Sequence, residues 1–192
     1  MKRSALFRSA KDVAFIAVMT ALLIAAQLAL SAVAGIEIVT PLLAAWSYAA
    51  GAKRGAAVAV CFALLRCVVF GAMLSVVALY LVYYPLFAAA FGALGRASRG
   101  FLPAGRLACA AALAAVLTPC FTLIDDVLSP LITGVRFLPY FYASLPVMAV
   151  QTVCAAVTVS LTFLPLFRVF SMFAGERPGR IGTNNGIGTK EL

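Results

Sequence analysis

From Val13 to Ile36 the chain carries no charged residue, and that run limits what it can fold into. At 1.5 Å of rise per residue, roughly 20 apolar residues cross a hydrocarbon core of about 30 Å. Val13 to Val33 is therefore predicted as a membrane-spanning helix, entered from a basic start (Lys2, Arg3, Arg8, Lys11) and followed by one acid, Glu37. Within and just before it, Ala10, Ala14, Ala17, Ala21 and Ala25 recur every three or four residues, which keeps them on one narrow helix face. Small residues at that spacing let a second helix approach closely, the usual means of helix association in lipid. The stripe is predicted to be a partner-coupling surface, with internal packing or chance in an alanine-rich chain as the alternative.

Composition places the whole chain in the same class. It is 65% hydrophobic and 11% charged, with a mean hydropathy of +1.09, values of a polytopic membrane protein. Its 192 residues leave room for five to seven helices and no separate soluble domain. The net charge of +9 would suggest nucleic acid in a soluble protein, but here it is first a topology signal. The 5 cysteines are odd in number, lie in apolar runs and form no C-x-x-C pair, so they read as buried hydrophobes. Histidine is absent, which removes the commonest general base and transition-metal ligand. The basic start and Ala32-Val33-Ala34 before Gly35 also fit a cleavable leader. The apolar run exceeds the roughly 7 to 15 residues usual there, and an alanine stripe would be wasted on a discarded segment.

Taken in order, the apolar runs and breakers predict an all-α integral membrane protein, one domain over residues 1–172. Its six transmembrane helices fall at about 13–33, 36–52, 55–73, 76–94, 107–124 and 145–167. Pro41 lies near the start of the second, where proline is tolerated, while Pro85 should kink the fourth. Gly95 to Arg106 is the only long polar loop before the tail. Ser129 to Pro146, with three prolines among Phe137, Tyr140, Phe141 and Tyr142, reads as an interfacial or pocket-capping segment. Residues 173–192 are polar and glycine-rich, expected to be a disordered cytoplasmic tail. With both ends inside, all 15 basic residues except Arg66 and Arg136 fall on the cytoplasmic side.

Few residues are equipped for chemistry. Arg66 lies well inside the third helix, where a charge costs about 2.5 to 3.5 kcal/mol and usually faces a protein interior or a water-filled cavity. Snorkelling to the interface is the alternative. Glu37 begins the next helix over on the same outer side, where it can cap the helix or meet Arg66 across a pocket mouth, a contact that an anionic ligand could replace or share through the arginine's planar fork. Asp125-Asp126 suggests Mg²⁺ chemistry, yet neither D-D-x-x-D nor D-x-x-D-G occurs, so these acids are expected to end the fifth helix in solvent. No phosphate-binding G-x-x-x-x-G-K-[ST] loop is present. Tyr80, Tyr83, Tyr84, Tyr140 and Tyr142 gather toward the outer side, as an aromatic belt or a stacking platform.

The alanine stripe, Gly35-Ile36-Glu37-Ile38-Val39-Thr40, Gly51-Ala52-Lys53-Arg54-Gly55 and Tyr80-Leu81-Val82-Tyr83-Tyr84-Pro85 together resemble the substrate-binding (S) components of energy-coupling factor (ECF) transporters, over nearly the whole chain. Those proteins carry stretches similar to V-E-L-V-T, F-G-K-K and Y-L-Y-V-W-P. One position departs: where relatives tend to have an acid in an L-L-E-G-like stretch, this chain has Leu64-Leu65-Arg66-Cys67. The resemblance implies a non-enzymatic, multi-pass subunit of a bacterial or archaeal cell membrane that captures a vitamin-like small organic solute from outside. It also implies a transmembrane coupling protein docked on the alanine face, and two partner ATPases that use the ATP. This chain itself is expected to need no cofactor. Nickel and cobalt relatives rely on an N-terminal histidine, absent here, so no metal substrate is expected. The candidate substrate contacts are Glu37, Thr40, Arg66, Tyr80, Tyr84, Asp125, Arg136 and Tyr140. The competing readings are a membrane enzyme acting on a lipid or prenyl substrate through Asp125 and Asp126, and an accessory subunit without a ligand.

Overall fold

A computed structural model describes residues 10–30, 38–98 and 104–173. They form six helices and no strand: α1 (Ala10–Leu30), α2 (Val39–Ala50), α3 (Ala52–Phe70), α4 (Leu74–Ala97), α5 (Ala104–Thr133) and α6 (Phe137–Phe173). Four of them, α1, α4, α5 and α6, are long and apolar enough to cross a membrane. The exterior is correspondingly apolar, with Val68 81%, Leu161 72% and Leu86 61% exposed. A continuous surface of that kind is suited to lipid and would aggregate in water.

α2 is the centre of the bundle. Every residue from Val39 to Ala49 is buried, as expected of a helix that is apolar almost all round. α2 packs against α1, α3, α4 and α6, while α1 also meets α3, α3 meets α4, α4 meets α5 and α5 meets α6. Its 12 residues reach only about 18 Å, short of the span predicted for 36–52. α3 is long enough, but it carries Lys53, Arg54 and Arg66.

Glycines set the closest approaches. Gly51, at φ +87°, is the single residue between α2 and α3. That left-handed conformation is open to glycine without the Cβ clash other residues meet. A Cβ at Gly92 would collide with the Ala52 backbone, and one at Gly95 with the Tyr48 carbonyl. α4 therefore lies directly against the α2–α3 junction, as small residues permit in membrane bundles.

The last two helices depart most from expectation. The fifth helix, predicted to stop at Ile124, runs on through Asp125, Asp126 and Pro130 to Thr133. The sixth begins at Phe137 rather than Leu145, with Pro139 in its first turn, where a missing N–H costs little. The segment expected to be interfacial is thus helix on both sides of a loop at 134–136. Gly134, at φ +74°, turns the chain, and its N–H donates to the Pro130 carbonyl at 2.9 Å. α4 similarly continues to Ala97, into the predicted polar loop. Glu37 and the tail beyond Phe173 lie outside the described residues.

Candidate functional site

Most hydroxyls in this bundle return to their own helix. Thr20 donates to the Ile16 carbonyl at 2.8 Å, Thr118 to Ala114 at 2.9 Å and Thr152 to Met148 at 2.7 Å. The i−4 bond satisfies the side chain locally and asks nothing of neighbouring helices. Several side-chain bonds cross between helices on the facing sides of α5 and α6.

There Thr118, Thr122, Asp126 and Ser129 recur at helical spacing on α5, with Asp125 beside them, opposite Tyr140, Ser144 and Gln151 on α6. Asp125 accepts from Ser129 Oγ at 2.6 Å and from the Tyr140 hydroxyl at 2.9 Å. Ser144 Oγ lies 2.8 Å from both Asp126 Oδ2 and the Phe141 carbonyl oxygen, with one proton to give to either. Asp126 Oδ1 has no partner. Thr122 donates to Gln151 Oε1 at 3.5 Å, the long end of the range. Asp126 is 1% exposed, which corrects the expectation that both acids end a helix in solvent. The acids are taken up by side chains on the next helix and the next turn, which is why α5 continues past them.

An aromatic cluster adjoins this seam at the end of the bundle where α3 finishes and α4 begins. Tyr80 and Tyr84 lie 4.8 Å apart by ring centroids, Tyr83 and Phe121 4.9 Å, Tyr80 and Phe121 5.8 Å, and Phe62 and Tyr84 5.4 Å. Arg66 sits on its edge, its Cζ 4.2 Å from the Tyr80 centroid and 5.4 Å from that of Phe70. Its Nε is buried without a partner. The guanidinium is thus held on ring faces, where electrostatic attraction contributes about 0.5 to 2 kcal/mol. Below the rings a cavity of about 10 Å³ is lined by Thr40, Tyr83, Tyr84, Thr118, Phe121 and Gln151. That is room for about one water. A vitamin-sized solute needs several hundred Å³, far more than this cavity offers.

Of the predicted contacts, Thr40 and Tyr84 line the cavity, Tyr80 and Arg66 stack beside it, and Asp125 is joined to Tyr140. Arg136 is exposed in the 134–136 loop, its carbonyl accepting from the Tyr140 N–H at 3.5 Å. Tyr83, Thr118, Phe121, Asp126, Ser144 and Gln151 belong to the same group and were not among the predicted contacts. The spacing of Tyr140, Ser144 and Gln151, four and seven residues apart, was the available signal. No group of three or more His, Cys, Asp or Glu side chains converges among the described residues.

At the opposite end of the bundle, Asp12 on α1 pairs with Arg54 on α3 at 2.9 Å. α1 turns Ile16, Met19, Thr20, Leu23 and Ile24 inward. Ala10, Ala14, Ala17, Ala21 and Ala25 are all exposed. No protein-family model, no curated protein and no solved structure matches the chain.

Proposed function

We propose that this chain is the substrate-binding subunit of an ECF-type uptake transporter, taking a vitamin-like small organic solute from outside and passing it inward. The observation that carries this reading is the exposure of all five stripe alanines. A flat face with no partner among the described residues leaves a coupling protein free to dock, helix against helix. The cluster of Thr40, Tyr84, Tyr80, Arg66, Asp125 and Tyr140 supports a solute site at the other end of the helices. Both termini are then cytoplasmic in a bacterial or archaeal membrane, with the site opening outward and two ATPases bound through the coupling protein. ATP is consumed by those partners.

The test is to express the chain with a coupling protein and ATPases of such a system, then compare wild type with Ala21→Trp. Co-purification and ATP-driven uptake by wild type, both lost in the variant, support the proposal. A chain that never associates with them, and whose native mass spectrum holds no bound solute, refutes it.

A further inference from the structure

The residue of this bundle least provided for is Asp126. A carboxylate can accept about four hydrogen bonds. Asp125 receives two, whereas Asp126 receives at most one, shared with a carbonyl, and its Oδ1 receives none. At 1% exposure Asp126 is out of reach of bulk solvent. No lysine or arginine among the described residues forms an ion pair with either acid, and Arg66 is held on Tyr80 and Phe70. A buried carboxylate in that position is costly unless something completes it.

The chemistry that would complete Asp126 follows from its surroundings. Hydrogen bonding to Oδ1 requires a donor, and the carboxylates call for positive charge. The Asp126 side chain points across the seam at Ser144 of α6. One turn back from the neighbouring Asp125, Phe121 packs against Tyr80, Tyr83 and Tyr84, whose ring faces attract cations. A protonated amine meets every one of these requirements; a carboxylate or a neutral alcohol does not. We infer that the solute carries a protonated amine and that Asp126 is its counter-ion. Asp125, fixed by Ser129 and Tyr140, supplies the second negative charge. This rests on the binding function proposed above and specifies its substrate class.

Three probes with one ring and different charge test the assignment: benzylamine, benzyl alcohol and benzoate. They are added to the purified full chain in detergent, and concentration-dependent thermal unfolding is recorded for wild type, Asp126→Asn and Asp126→Glu. The expected result is stabilisation of wild type by benzylamine at concentrations at least tenfold below those needed for the other two. Asp126→Asn should weaken the amine at least tenfold, and Asp126→Glu should recover part of the loss. The wild-type ranking decides alone if Asp126→Asn does not fold. Equal or stronger stabilisation by benzoate or benzyl alcohol, or none by any probe, overturns the inference. So does an unchanged amine response in Asp126→Asn, the result expected if the acid simply holds a proton. Native mass spectrometry of the same preparation separates the two levels: a neutral or anionic co-purified solute sinks the amine while leaving the binding function standing.

Discussion

The Arg66 guanidinium carbon lies 4.2 Å from the centroid of the Tyr80 ring, one helix away. The charge that looked most exceptional in the sequence is thus settled on an aromatic face. Arg66→Met loses an attraction of about 0.5 to 2 kcal/mol but also the cost of holding a charge at depth. The cost, about 2.5 to 3.5 kcal/mol, is the larger, so its detergent unfolding free energy should not fall below that of wild type. Arg66→Lys, with a more strongly hydrated and less planar cation, should be no better. A loss of about 3 kcal/mol or more in Arg66→Met would mean that the arginine is a structural anchor.

The alanine face makes a prediction at a distance from the site. Trp at position 17 or 21 adds bulk to an exposed surface of α1 and should leave the fold and solute binding intact. Co-purification with the coupling protein and ATP-dependent uptake should fall below detection, because close helix approach requires small side chains. Assembly and transport by both variants would show that the stripe contacts nothing.

Orientation can be read by single-cysteine labelling in a cysteine-free background. Arg136 and Arg96 are both exposed and lie at opposite ends of the bundle. Arg136→Cys should react with an impermeant maleimide in intact cells, and Arg96→Cys only after permeabilisation. The reverse pattern would invert the topology.

Gly92 and Gly95 test the packing of α4 on the α2–α3 junction. Any side chain there meets backbone rather than the flexible end of another residue. Overpacking a tight site costs about 1 to 3 kcal/mol or more. Gly92→Leu should therefore lower thermal stability clearly, while Gly105→Leu, with open space around its Cβ, should not. Equal tolerance at both positions would show that α4 can shift away.

Features that repeat along one helix were legible from sequence. Ala10 to Ala25 define a face whatever the surroundings, and all five are exposed. The apolar run beginning at Val13 and Pro85 inside the fourth helix were equally plain, whereas Pro130 and Pro146, read as breakers, lie inside α5 and α6. What escaped depends on partners from another helix. Asp125 and Asp126 look like a solvated helix end until Tyr140 and Ser144 stand across from them, 15 and 18 residues on. Phe121 is an ordinary apolar residue of α5 until Tyr80, Tyr83 and Tyr84 surround it. The end of α5 was missed for the same reason, since two acids and Pro130 signal a stop only where nothing nearby receives them.

The buried position of α2 also dictates an order of assembly. Tyr48 meets Phe163 and Phe167 edge-on at 5.4 Å and 5.3 Å, and Trp46 meets Phe170 at 5.8 Å. These rings of α6 are among the last described residues to be synthesised, whereas α2 is made near the beginning. Until the ribosome has finished α6, one side of the central helix has only lipid against it. A nascent chain halted before Phe163 should therefore leave Trp46 accessible to quenchers dissolved in the bilayer, and completion of α6 should remove that access in a single late step.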